Sequence, residues 1–410
     1  MIDVAIVGGG AAGIAAARTL HAAGRTVRIV EAGPRLGGRA HTAMVAGMPL
    51  DLGCGWLHSA TRNPWVGIAE AAGIAVDRTP TAWGRQWRDL GFSPAERAEA
   101  AAAYDAFDAR LRTSVPSDRA VDALAPGGRW NAWLEALSGY INGVELAALS
   151  VQDYLAYDDA AIDADWRLPG GYGALVAGAA AGLAVTLDTP VTAIRLDGRG
   201  VRLETPRGAI EAAAAIVTVS TEVVARGACR LPPDHDAIAQ AAADLPLGLA
   251  DKLFLGVEGA DDLDADSHLI GDPHRATTGS YYLRPFGRPV IECFFGGAGA
   301  RALERAGPAA TAAFAIDQLA ALLGSDWRRR LTPIAASAWG RDPLFGGSYS
   351  HARPGRRAAR AVLATPIDPR LHFAGEACSS TDFSTAHGAF ATGVAAARAV
   401  LADTPRLDLR

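Results

Sequence analysis

The opening residues constrain this chain more than any other stretch. Asp3-Val4-Ala5-Ile6-Val7-Gly8-Gly9-Gly10-Ala11-Ala12-Gly13 runs into a helix-like segment and then into Val27-Arg28-Ile29-Val30-Glu31. In order this is strand, glycine turn, helix, strand, acid. The apolar run from Val4 to Val7 suits a strand buried within a parallel sheet. Gly8 permits the tight turn, Gly10 lets backbone approach a pyrophosphate, and Gly13 lets helix and strand pack closely. The helix beginning near Ala11 aims free N–H groups and its positive dipole end at phosphate. Glu31 closes the second strand, where an acid can accept hydrogen bonds from ribose hydroxyls. A lone glycine triplet says little, but the complete context predicts a dinucleotide site at the head of an α/β fold. Which dinucleotide, and for what chemistry, is open at this point.

A chain of 410 residues can bury a large core, so two domains or one large composite is expected. Hydrophobic residues make up 50% and charged residues 20%, which argues for a globular protein and against disorder. A net charge of −5 offers no electrostatic reason for nucleic-acid binding. Two arginine clusters, Arg328-Arg329-Arg330 and Arg353, Arg356, Arg357, Arg360, read as solvated faces. The cysteines Cys54, Cys229, Cys293 and Cys378 make no CxxC and no zinc-like spacing. No metal site is expected, and the four read as buried free thiols in a reducing compartment. No signal peptide precedes the first strand. The uncharged run from Gly170 to Leu187 lacks bulky apolar density for a membrane span, and the tail carries Arg398, Asp403, Arg406, Asp408 and Arg410. A cytoplasmic protein with no membrane partner is the expectation; no feature bears on oligomeric state.

Five segments follow from the pattern along the chain. Residues 1–60 form the first part of the nucleotide domain. Residues 61–165 read as mainly helical: Asn63-Pro64 opens a helix, Ser93-Pro94-Ala95-Glu96 is a capping box for a long one to about Arg112, and further helices span Trp130 to Ile141 and Ser150 to Tyr157. Residues 166–230 return to the nucleotide domain through a helix from Ala174 to Ala184 and strands around Thr189–Ile194, Val201–Thr205 and Ala215–Val219, with Gly198-Arg199-Gly200 as a turn. Residues 231–340 predict a helix from Pro232 to Asp244, a mostly antiparallel sheet and a helix from Pro308 to Leu323. Residues 341–410 bring the strand Leu371 to Glu376 and a helix opened by Ser384-Thr385 and running to about Leu401. The fold class is therefore α/β: a Rossmann-type nucleotide domain with a discontinuous α+β domain, an antiparallel sheet flanked by helices.

Three features carry candidate chemistry. Gly37-Gly38-Arg39 follows Glu31 closely, so amides and a guanidinium can meet a diphosphate. Asp51-Leu52-Gly53-Cys54-Gly55-Trp56-Leu57-His58 separates a strand from an aromatic and an imidazole by small residues, which lets a flat ring lie against backbone; His58 by itself reads as a structural histidine. Lys252 follows Asp251 at the head of an apolar strand, and by spacing alone it is a strand-edge lysine with its ammonium in solvent.

These pieces, in this order, resemble the flavin amine oxidase family over nearly the whole chain. The resemblance rests on the dinucleotide turn, Gly37-Gly38-Arg39, the Asp51–Trp56 segment, Trp339-Gly340-Arg341-Asp342-Pro343, Gly347-Ser348-Tyr349-Ser350, Gly375-Glu376, and Ser384-Thr385-Ala386-His387-Gly388-Ala389. It implies FAD as the cofactor, held by Gly8, Gly10, Gly13, Glu31, Arg39, Gly53, Trp56, Trp339, Gly375, Glu376, Thr385 and Ala386, with the backbone of Val191, on its strand, meeting the adenine. It also reverses the reading of Lys252, which matches the lysine holding a water near flavin N5. Tyr349 matches one wall of the aromatic cage around the substrate amine, and Thr385 stands where the second cage tyrosine would be.

Ser348 replaces the cysteine that carries covalent flavin in monoamine oxidases, so noncovalent FAD is implied. Trp-Leu-His ending at His58 and the Ser-Thr-x-His-Gly-Ala stretch are similar to polyamine oxidases, and that similarity implies a His58 imidazole in reach of substrate. No arginine stands near Trp56 in sequence to grip a substrate carboxylate, which argues against an amino-acid substrate. The implied reaction takes a primary or secondary amine, polyamine-like or a small monoamine, to an imine that hydrolyses to aldehyde plus amine, with oxygen reduced to hydrogen peroxide. Glu145, Asp159 and Glu292 are candidates to pair a remote ammonium, with nothing to choose between them. A flavin oxidase or desaturase of non-amine substrates, or a non-catalytic flavin-binding protein, are the rival readings.

Overall fold

The computed structural model describes residues 2–113, 115–198, 200–233 and 235–403. Arg199 of the expected turn and Arg406, Asp408 and Arg410 of the charged tail lie outside the described residues. The first sheet is built from β1 (Ile2–Val7), β2 (Val27–Val30), β3 (Ala184–Thr186), β4 (Ala193–Asp197), β5 (Gly200–Glu204) and β6 (Ile210–Val217), in the order β3-β2-β1-β6-β5-β4. The strands β3, β2, β1 and β6 run parallel. Between β1 and β2 lies α1 (Ala11–Ala22). Parallel pairing requires crossovers, and both faces of such a sheet must be covered. One face is covered by α1 with Trp65, Tyr172 and the last helix; the other packs Val191, Ile194, Leu203, Leu245 and Phe373.

The second sheet is antiparallel throughout, with β7 (Ala250–Val257), β8 (Ser267–Ile270), β9 (Ser280–Leu283), β10 (Val290–Gly296) and β11 (Leu331–Ala336) in the order β8-β9-β10-β7-β11. Strand alternation divides its side chains. Leu253, Leu255, Ile291, Cys293, Tyr281 and Leu269 bury one face against the helix Pro308–Leu323. Register places Lys252 opposite Phe294, Glu292 opposite Tyr282, and Tyr282 opposite His268 on the other face. The chain then returns to the first sheet: β12 (Leu371–Phe373) pairs in parallel with the far half of β6, and α2 (Ala386–Asp403) lies against α1. Among the described residues no helix is long and apolar enough to cross a membrane.

Several local expectations shift. The helix expected over 174–184 is Tyr172–Gly178, because Ala184–Thr186 is drawn into pairing with β2. The strand expected from Thr189 starts at Ala193, so Val191 lies in the loop before β4 rather than on a strand. The helix expected from Pro232 starts at Asp236. The arginine run ending at Arg360 is not wholly solvated. Arg360 is 1% exposed, with its Nε and Nη2 on the two oxygens of buried Asp153 at 2.6 and 2.7 Å. Asp153 lies far back in the chain, so sequence spacing could not single out this arginine.

Candidate active site

The nucleotide end is set by the turn after β1. Gly8 has φ +107°, a conformation L-residues avoid, and a Cβ on Gly13 would stand 2.0 Å from the Gly8 carbonyl oxygen. Only glycine therefore lets α1 start this close to β1. The N-cap, Gly10, offers no side-chain partner to the first turn of α1, leaving its N–H groups for an anion. Glu31 is buried, and its two oxygens accept the Gly9 and Gly33 N–H groups at 2.6 and 2.7 Å. The loop carrying Val191 lies beside it, with the Thr189 N–H donating to the Glu31 carbonyl at 2.9 Å. Gly375, at the end of β12, has φ +151° and nothing within 4 Å of where a Cβ would stand. An uncapped helix start, a fixed acid and open space beyond parallel strand ends fit a dinucleotide.

Toward the middle of the site, Arg39 Nη1 donates to the Ser348 carbonyl at 2.7 Å and to Glu376 Oε1 at 2.9 Å. Burial by itself would raise the Glu376 carboxyl; Arg39, the Ser350 hydroxyl and Arg360 hold it below its ordinary value. Glu376 Oε2 also accepts the Ser384 N–H at 2.9 Å, which joins β12 to the loop before α2. A Cβ on Gly53 would stand 1.8 Å from the Arg39 carbonyl oxygen, so the Asp51–Trp56 segment lies directly on the Arg39 loop. The Trp339 indole N–H fastens that segment through the Leu52 carbonyl at 3.1 Å.

At the chemical end, Lys252 is 7% exposed and its Nζ stands 2.7 Å from Glu292 Oε1. The strand-edge, solvated reading of this lysine is thereby overturned. A Cβ on Gly55 would come within 3.1 Å of Nζ, so glycine leaves the ammonium its room. Burial raises the Asp51 carboxyl despite its bonds to Thr42, Tyr172 and Gly173. Burial and then Asp51 push the Cys54 thiol up to about 12, leaving it neutral. Tyr349 donates its hydroxyl to the Tyr140 carbonyl at 2.7 Å, and the Tyr140 ring lies 6.1 Å from that of Phe294, the cross-strand partner of Lys252. Burial pushes the Tyr349 phenol well up. Ser348 exchanges hydrogen bonds with the Ala250 N–H and carbonyl at 2.9 and 2.7 Å, tying this segment to the head of β7.

Trp56, His58 and Trp83 gather on one side. The Trp56 and Trp83 ring centroids are 4.5 Å apart, and His58 Nδ1 lies 2.7 Å from Asp165 Oδ1. The Thr385 hydroxyl accepts from the Gly388 N–H and donates to the Asp382 carbonyl, so it acts as the cap of α2. The Ala386 carbonyl takes the Trp65 indole N–H at 3.1 Å. Of the three acids considered for a remote ammonium, Glu145 pairs with Arg301 and Asp159 with Arg112; Glu292 pairs with Lys252 and lines a cavity.

Two features escaped the sequence reading. Lys252 is the sole lysine among the chain's cationic side chains, all others being arginine, and that exclusivity was a signal in plain view. Arg167 is the other. The two-residue strands Trp56–Leu57 and Trp166–Arg167 pair with Trp56 opposite Arg167, so an arginine does stand beside Trp56.

A model of the flavin-containing amine oxidoreductases matches residues 11–401. The chain is 29% identical to polyamine oxidase 2 of Arabidopsis thaliana, over 96% of this chain and 87% of that protein. It is 29% identical to a lysine-specific histone demethylase 1 homolog 3 of Oryza sativa, covering 95% of this chain but 53% of that protein. The solved structure of wild-type putrescine oxidase bound to putrescine superposes with a TM-score of 0.79 at 20% identity, covering 98% of this chain and 99% of that one.

Proposed function

The chain belongs to the flavin-containing amine oxidoreductases, and from that premise we propose that it is an FAD-dependent oxidase of a primary or secondary amine. The product is an imine that hydrolyses to aldehyde and amine, and oxygen takes the electrons as hydrogen peroxide. The observation that carries this reading is Lys252: the only lysine, buried, paired at 2.7 Å with Glu292 and given room by Gly55.

Gly8, Gly10, Gly13 and Glu31 would hold the adenosine diphosphate, with Val191 beside it; Arg39, Gly375 and Glu376 would hold the linker, and Gly53, Trp56, Trp339, Thr385 and Ala386 the ring end. Bound FAD supplies a two-electron acceptor for the amine α-carbon. The rest is the work of this chain's residues. Tyr349, with its hydroxyl committed to the Tyr140 carbonyl, offers the incoming amine a fixed ring face. The Lys252 ammonium, paired with Glu292, holds a water and stabilises negative charge that develops beside it. His58, fixed by Asp165 and 39% exposed, meets the substrate at the Trp56–Trp83 side. Among the described residues no side chain is placed as a general base, so the amine arrives neutral or gives up its proton on binding. Ser348 in place of a cysteine, engaged with Ala250, supports noncovalent FAD. The free thiols support a reducing, cytoplasmic setting.

The test is anaerobic bleaching of bound flavin over a panel of amines, followed by peroxide release in air. Bleaching by an amine with stoichiometric peroxide is expected. No turnover of any amine, with bleaching by a non-amine, would reject the reading, and a colourless protein that binds no FAD would reject catalysis altogether.

A further inference from the structure

A cavity is lined by Glu292, Trp56, Arg167, Tyr282, Phe286 and Arg288. Arg167 is only 4% exposed. Its guanidinium carbon lies 5.1 Å from the Trp56 ring centre, 5.0 Å from Tyr282 and 4.3 Å from Phe286. Its Nη2 contacts Asp77 Oδ2 at 2.7 Å and Asp266 Oδ1 at 2.9 Å. Nε and Nη1 are buried without a hydrogen-bond partner, in a guanidinium set among these three rings.

Three aromatic rings and two carboxylates make a cage suited to a cation, and here the cation belongs to the protein. The cage is held under backbone strain: Asp266, Arg284 and Phe286 all have positive φ, at 53°, 47° and 58°, and Asp266 Oδ1 also takes the Phe286 N–H at 2.9 Å. Such strain persists where the surrounding structure demands one conformation.

The remaining charges have a clear balance. Asp77 and Asp266 are engaged by Arg167, Glu292 by Lys252, and Asp51 by Thr42 and the Tyr172 and Gly173 N–H groups. Arg288, half-buried and bonded to the Pro49 and Pro169 carbonyls, has no carboxylate in ion-pair range among the described residues. A second ammonium on a substrate would find two guanidinium groups on the cavity wall, with the lining carboxylates Glu292 and Asp51 already engaged.

We propose that Arg167 determines specificity by occupying, as a fixed internal cation, the cage that a substrate's second ammonium would otherwise take. The enzyme then selects amines carrying a single positive charge. This rests on the amine-oxidase reading above and names the substrate class for the same site.

The experiment compares kcat/KM for butylamine and for 1,4-diaminobutane, equal in chain length and different by one charge, in wild type, Arg167→Gln and Arg167→Ala. Wild type is expected to favour the monoamine at least tenfold. In the variants the diamine should gain at least tenfold relative to the monoamine, chiefly through KM. Wild-type preference for the diamine overturns the inference whether or not the variants fold. An unchanged ratio in a variant that retains its flavin and melts cooperatively also overturns it. Bleaching by neither compound nor any other amine overturns the amine reading and this inference together, whereas diamine preference overturns this inference alone.

Discussion

Lys252 on β7 and Glu292 on β10 stand two residues off register on the same face of the antiparallel sheet, with Nζ and Oε1 2.7 Å apart. The pair fixes the one lysine ammonium of the chain beside Gly55. Lys252→Met should leave FAD bound and slow flavin reduction or reoxidation at least tenfold, read by stopped-flow absorbance. Unchanged rates would remove the role assigned to Lys252.

Glu31 takes one N–H on each oxygen, from Gly9 and Gly33. Glu31→Ala removes both bonds and the acceptor proposed for the ribose. FAD affinity should fall at least tenfold, about 1.4 kcal/mol, in a fluorescence titration of released cofactor. Retention of flavin at wild-type affinity would count against the adenosine end lying at this turn.

Arg360 and Asp153 are both almost fully buried and joined through two bonds. Removing one partner leaves a charge without compensation, so Arg360→Met should cost about 3–5 kcal/mol in denaturant unfolding. A loss below 1 kcal/mol would mean that Asp153 is reached by water.

His268 and His351 are buried, and desolvation lowers both to about 4 from 6.5. Each favours the folded state fully above 6.5, and that stability is lost as pH falls through 4, on the order of 1–3 kcal/mol apiece. Asp251 runs the other way. Burial pushes it up to about 6 from 3.8, so its contribution is fully present below 3.8 and is lost as pH rises through 6. Asp251→Asn should therefore raise the melting temperature at pH 8 and not at pH 4. His351→Gln should flatten the acid limb between pH 6.5 and 4. Melting curves across this range check both signs.

The parts legible in the sequence were those written over short spans. The strand–turn–helix start needs nothing beyond residue 31, and the Ser93–Glu96 capping box forms as expected, each side chain reaching the other's N–H. The helix Pro308–Leu323 has the expected bounds because glycine flanks it at both ends. Illegible were features whose partner is distant. Nothing near Trp56 announces Arg167, since their two-residue strands meet across a long stretch of chain. Nothing in the run from Arg353 to Arg360 tells which arginine will find Asp153. The end of the 172–178 helix is decided by the edge of the first sheet and not by local propensity. The resemblance of motifs named candidate flavin contacts, but neither the Lys252–Glu292 pair nor the place of Arg167 beside Trp56.

The closest approach of α1 and α2 bears on how the protein is made. A Cβ at Gly393 would stand 2.2 Å from the Ala12 carbonyl oxygen, so the first helix and the last are seated backbone to backbone. The first helix therefore takes its final seat only once the segment carrying Gly393 is in place. A chain cut short before α2 is therefore expected to hold no flavin, read from the visible absorbance of the purified protein.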